Sequence, residues 1–140
     1  MNLFMTSPDP AECASTLDDL RVVNQLRETC QLLSGAVQEA SGSGPAFAHR
    51  EEVLAAGWMY APTHLASPCA RWVRGCRQNF QWTVDHALAL SNEYLLRYPR
   101  GSHKSVEVAH RFLAGREFMG ALFELAIDLS GTEGAPGGWV

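Results

Sequence analysis

The chain is predicted to be all-α, a compact single domain of three main helices with a short extended N-terminal segment and irregular loops. Three observations predict this. Long proline-free stretches carry apolar residues at helical spacing, Gly/Pro-rich segments divide them, and 140 residues with 46% hydrophobic and 19% charged content suit one core. The domain is expected to span 1–130, with 131–140 a flexible Gly-rich tail.

Met1 to Met5 reads as an extended piece closed by the turn Ser7-Pro8-Asp9-Pro10. From about Asp18 to Glu39, Val22, Leu26, Thr29 and Leu33 recur on one helical face. The loop Ser41-Gly42-Ser43-Gly44-Pro45 follows, then a short helical stretch from about Arg50 to Trp58, broken at Ala61-Pro62. Ser67-Pro68 has the form of an N-cap with proline at the first helical position. The helix it starts is predicted to run to Arg97, bent at Gly75, with Cys69, Trp72, Val73, Cys76, Phe80, Val84, Leu88 and Leu95 as its apolar stripe. Tyr98-Pro99-Arg100-Gly101 ends it, and a last helical region extends from Lys104 to Leu129 with weak points at Gly115 and Gly120.

No apolar run is long enough to cross a bilayer and the start lacks a signal-peptide pattern, so the expected location is cytoplasmic. Cys13, Cys30, Cys69 and Cys76 form no C-x-x-C pair and are expected to be reduced thiols. A net charge of -4 argues against indiscriminate binding to nucleic acid. The arginines Arg71, Arg74, Arg77, Arg97 and Arg100 nevertheless cluster mid-chain, away from acids near the ends, which permits a local positive surface. The five scattered histidines make no metal spacing, so no metal and no cofactor are expected, and no Walker loop, G-x-G-x-x-G or G-x-S-x-G occurs.

Three clusters could carry chemistry. Arg21, Gln25 and Glu28 share one face of the first long helix, near Asp18 and Arg27, where cations would favour an ionised, oriented carboxylate. A solvated face with ordinary helix ion pairs is the plain alternative. Glu93 and Arg97 form an i,i+4 pair beside Tyr98, Arg100, His103 and Lys104, donors and a ring able to hold phosphate and stack a base, or merely to offset a helix dipole. Thr63-His64 leads through Ser67 and Pro68 to Arg71, Trp72 and Arg74, where a helix N-terminus could take an anion, although Trp72 also suits the core.

Several short motifs resemble the phage pyrimidine-dimer DNA glycosylases of the endonuclease V type and the small phage and bacterial proteins grouped with them. They are Met1-Asn2-Leu3-Phe4 with Asp9-Pro10, the helix from Leu17 to Val37 containing Glu28-Thr29-Cys30-Gln31-Leu32-Leu33, His64 to Pro68 to Trp72, and Glu93-Tyr94 to Arg97-Tyr98 with His103-Lys104. The likeness spans roughly Met1 to Ser105. It implies a helical fold that grips bent double-stranded DNA, expels a base and attacks the sugar carbon with a terminal amine while a glutamate assists. On that resemblance Glu28 and the Met1 amine would be catalytic. Arg21 and Arg27 match positions where that family places DNA-contacting cations; from the three clusters Gln25, His64, Arg71, Arg74, Arg97, His103 and Lys104 are expected to meet DNA as well, with Asp19, Trp72, Glu93 and Tyr98 in support. One departure stands out: the family exposes a threonine amine after methionine removal, whereas here Met1 precedes Asn2, whose side chain blocks such trimming. Either the Met1 amine reacts, or the fold keeps Glu28 for another reaction, such as building or processing a modified pyrimidine. A non-catalytic adaptor or inhibitor binding a host protein is the reading from a different class.

Overall fold

The computed structural model describes residues 1–41, 58–121 and 123. Among them every regular element is a helix: α1 (Pro10–Ser15), α2 (Asp19–Ser41), α3 (Pro68–Val73), α4 (Arg77–Arg97) and α5 (Lys104–Ala114), with further helical turns at 116–121. The expected loop after Ser41, most of the stretch from Arg50 to Trp58, and the Gly-rich tail lie outside the described residues.

The segment read as a turn before α1 is instead its cap. Asp9 has extended backbone and its carboxylate accepts from the Ala11 N–H at 3.0 Å, while Pro10 occupies the first helical turn, where a missing N–H has no consequence. Asp18 does the same for α2, accepting from the Arg21 N–H at 2.8 Å. Val22, Leu26, Thr29 and Leu33 are all fully buried, as their spacing predicts. Toward its C-terminal end α2 is buried on more than one face, through Leu32, Ser34, Ala36 and Val37, and so runs through the core.

Ser67 caps α3 as the sequence suggests, accepting from the Ala70 N–H at 3.2 Å. The single helix expected from Pro68 to Arg97 is two helices, however. Arg74 and Gly75 close α3 with turns onto Ala70 and Trp72, and Cys76 is fully extended at φ -162° before α4 begins. Glycine has the lowest helix propensity of any residue but proline, and the Asn79 side chain takes the Trp72 carbonyl at 2.8 Å, replacing a helix bond. The expected stripe also drifts. Phe80 and Val84 are buried, but the buried face continues through Ala87, Leu90 and Tyr94, leaving Leu95 43% exposed. Steps of four residues advance about 40° past a full turn, so only alternating steps of three and four stay on one face.

Helix α4 is the organising element, with α2, α5 and α1 packed against it. A strip of donors on α4 fastens the N-terminal region by its carbonyls. Trp82 Nε1 donates to Pro8 at 2.8 Å, the His86 ring meets the Pro10 carbonyl through Nδ1 at 3.2 Å, and Arg97 donates to Leu17 at 2.6 Å and Ser15 at 3.2 Å. The Arg97 guanidinium also holds Glu93 and Asp19, at 3.1 and 3.2 Å. Ahead of this strip, Leu3 is buried and its N–H donates to the Cys69 sulfur at 3.4 Å, tying the first residues to α3.

On the other side the Tyr60 segment docks on α2. Its N–H donates to Ser34 Oγ at 3.2 Å, its carbonyl accepts from Gln38 at 2.8 Å, and its hydroxyl meets Ser105 Oγ at 2.6 Å. All four cysteines are free thiols, three of them buried. Burial pushes the Cys30 thiol up to about 12, which keeps it protonated and inert. No described helix is long and apolar enough to cross a membrane.

Candidate active site

The fastening of the N-terminal region brings residues from its first few positions and from α2 to one cleft. Its floor is the first half of α2, where Arg21, Asn24, Gln25 and Glu28 fall on one face with Arg27 at the edge; Asn2 and Phe4 of the N-terminal segment form the facing side. The cleft is open and polar, with a volume of about 320 Å³, enough for a base-sized group.

Glu28 is half-buried there. Its partner is not a guanidinium, as the sequence led one to expect, but Gln25, whose Nε2 donates to Glu28 Oε2 at 2.5 Å. Gln25 is only 3% exposed, so its amide faces the carboxylate instead of solvent. Arg21 is drawn to Asp18 at 3.3 Å and lies over the Phe4 ring, 5.6 Å from its centroid. Arg27 is exposed on the rim. Asn2 and Phe4 were not singled out by residue reasoning; their only signal was the Met-Asn-Leu-Phe opening. Asn24 had none beyond its helical position.

Met1 is half-buried against the core, next in the chain to Asn2 on the cleft wall. One residue spans at most about 3.8 Å between α-carbons, so the Met1 backbone stays within one residue of that wall.

The second cluster is largely internal. Glu93 and Asp19 hold Arg97, which spends its guanidinium on backbone carbonyls and these two acids. His103 caps α5, its Nδ1 accepting from the Ser105 N–H at 3.1 Å and its Nε2 meeting the Val23 carbonyl at 3.1 Å. Tyr98 stacks on Tyr94 at 5.2 Å. Lys104 is exposed, with its ammonium 4.7 Å from the centre of the Tyr60 ring.

The third cluster spreads out. His64 is exposed with a left-handed φ of 51°, a strained backbone for a non-glycine residue. Arg74 donates to the Leu65 carbonyl, Arg71 is exposed, and Trp72 packs with Leu3, Pro68 and Cys69. Among the described residues no three His, Cys, Asp or Glu side chains gather as a metal site would require.

Fold and cleft together define a small helical protein with one carboxylate seated beside the N-terminal segment under a cationic rim. The family model for pyrimidine dimer DNA glycosylases matches residues 1–105, and the chain belongs to that family, one of DNA repair glycosylases whose substrate is DNA. The match takes in both walls of the cleft. No curated protein and no solved structure matches the chain.

Proposed function

We propose that this chain removes a damaged pyrimidine from double-stranded DNA in the cytoplasm, with Glu28 as the catalytic carboxylate and the Met1 amine as nucleophile, and that strand nicking follows as a lyase step. The observation that carries this reading is the seating of Glu28, half-buried in an open cleft whose facing wall is the N-terminal segment and whose rim holds Arg21 and Arg27.

The chemistry follows from that placement. A neutral amine attacks C1′ of the deoxyribose; a C–N bond forms as the bond to the base breaks, and its electron pair leaves with the base, which takes up a proton. Positive charge builds on the sugar carbon between these events, and a fixed carboxylate stabilises it. Opening of the sugar ring, with a proton gained by O4′ and one lost from nitrogen, leaves a Schiff base. Removal of a C2′ proton then expels the 3′ phosphate, and water releases the enzyme.

Arg21 and Arg27 are the cations best placed to meet phosphates flanking the extruded nucleotide, with Arg71 and Lys104 as further exposed contacts. Arg97 and His103 serve indirectly, by fixing the segments that form the cleft. Extruding a base costs about a few kcal/mol, least where stacking is already damaged, which favours a lesion over an intact pair.

The test is incubation with abasic and pyrimidine-dimer duplexes, with and without borohydride, followed by mass analysis of the first residue. Cleavage of one glycosidic bond of the dimer, with a reduced protein–DNA adduct on the N-terminal residue, is the expected result. Intact duplexes and no adduct would overturn the proposal, whereas glycosidic cleavage without an adduct would retain the glycosylase and remove the amine and the lyase step.

A further inference from the structure

The bond between Gln25 and Glu28 is built at some cost. Gln25 is 3% exposed, and while its Nε2 reaches Glu28 at 2.5 Å, its Oε1 is buried with no hydrogen-bond partner. A buried carbonyl oxygen without a donor is destabilising, and an apolar side chain of the same length would fill this place without one. The amide is therefore useful for what its nitrogen does. We infer that Gln25 is a positioning residue that holds Glu28 as an oriented carboxylate, an inference that rests on the reading of Glu28 as the catalytic group.

The polarity of the contact has a direct consequence. Nε2 finds its acceptor in Glu28 Oε2 and so holds that oxygen at one point of the cleft. Rotating the amide would turn Nε2 into the buried place where Oε1 now has no partner and set Oε1 against the carboxylate oxygen. Gln25 thus fixes the rotamer of its neighbour. The other charged side chains on this cleft are Arg21 and Arg27, from the same helix; the N-terminal segment brings the uncharged Asn2 and Phe4 to it, with the titratable Met1 amine one residue before Asn2.

The experiment is the kinetics of glycosidic-bond cleavage on a dimer-containing duplex, with kcat and KM separated, for Gln25→Met and Gln25→Glu, with Glu28→Gln as reference and melting curves to verify folding. In Gln25→Met kcat is expected to fall roughly tenfold at neutral pH with KM little changed. Gln25→Glu keeps the size of the side chain but sets a second carboxyl against Glu28, so its kcat falls further. It carries the test if the methionine variant does not fold. A wild-type kcat in a folded variant overturns the inference. Unchanged activity in Glu28→Gln would instead overturn the reading beneath it.

Discussion

Arg97 on α4 donates to the Leu17 carbonyl at 2.6 Å, a bond that joins residues 80 apart and sets where α2 begins. With the Ser15 carbonyl, Asp19 and Glu93 as further acceptors, one guanidinium fixes the α1–α2 corner from which the cleft is built. Arg97→Met should therefore lower stability by about 2 to 3 kcal/mol in urea unfolding, since a charged donor to the part-buried Leu17 carbonyl is lost together with its bonds to Ser15, Asp19 and Glu93. Arg97→Lys should recover little, because a single ammonium cannot match a planar fork with four acceptors. Full stability in Arg97→Lys would show that charge alone is needed.

His86 gives the fold a pH dependence of known sign. Burial lowers its pKa from the ordinary value of 6.5, opposed in part by its bond to the Pro10 carbonyl. The unfolded chain then takes up a proton below about 6.5 that the folded chain refuses, so this residue's contribution is intact above that pH and is lost as pH falls below it. His86→Asn can keep the donor to Pro10 but cannot titrate. Melting temperatures at pH 7.5 and pH 5 should differ more for the wild type than for this variant; equal differences would mean that His86 is not the sensor.

Gly101 lies against the aromatic corner at the end of α4. A Cβ there would fall 2.4 Å from the Tyr94 hydroxyl oxygen and 2.9 Å from its Cζ. Tyr94 is held by Tyr98 and by the His103 ring at 5.3 Å, so it cannot simply swing away. Gly101→Ala should cost about 1 to 3 kcal/mol by overpacking, read as a lowered melting temperature. An unchanged melting temperature would show that the stack yields freely.

Much of the fold was legible because helical periodicity is local. Val22, Leu26, Thr29 and Leu33 announce α2 by spacing alone, and Ser67-Pro68 marks the start of α3. Helix α1 was not legible, since the six residues from Pro10 to Ser15 are too few to show a period, and its stability comes from α4 through Trp82 and His86. The site divides in the same way. That Arg21, Gln25 and Glu28 share a face follows from their numbers, but that Gln25 is buried, or that Asn2 and Phe4 stand opposite, depends on tertiary contacts whose acceptors are backbone carbonyls. A carbonyl belongs to every residue and leaves no mark in the sequence. For that reason the sequence reads Arg97 as half of a surface pair with Glu93, and His103 as a donor beside a helix end.

Arg27 stands exposed on the rim of the cleft. If it meets a phosphate, Arg27→Gln should weaken binding to damaged and undamaged duplexes alike, and the slope of log affinity against log salt should fall by about one. An unchanged slope would place the phosphate contacts elsewhere.

The catalytic role of Glu28 is most directly measured by single-turnover cleavage of the glycosidic bond in a pyrimidine-dimer duplex, comparing wild type with Glu28→Gln at saturating protein. A rate loss of about 10² to 10³ is predicted with DNA affinity changed by less than about threefold, as for removal of a group that acts mainly in the transition state. Glycosidic cleavage by Glu28→Gln at the wild-type rate would contradict it.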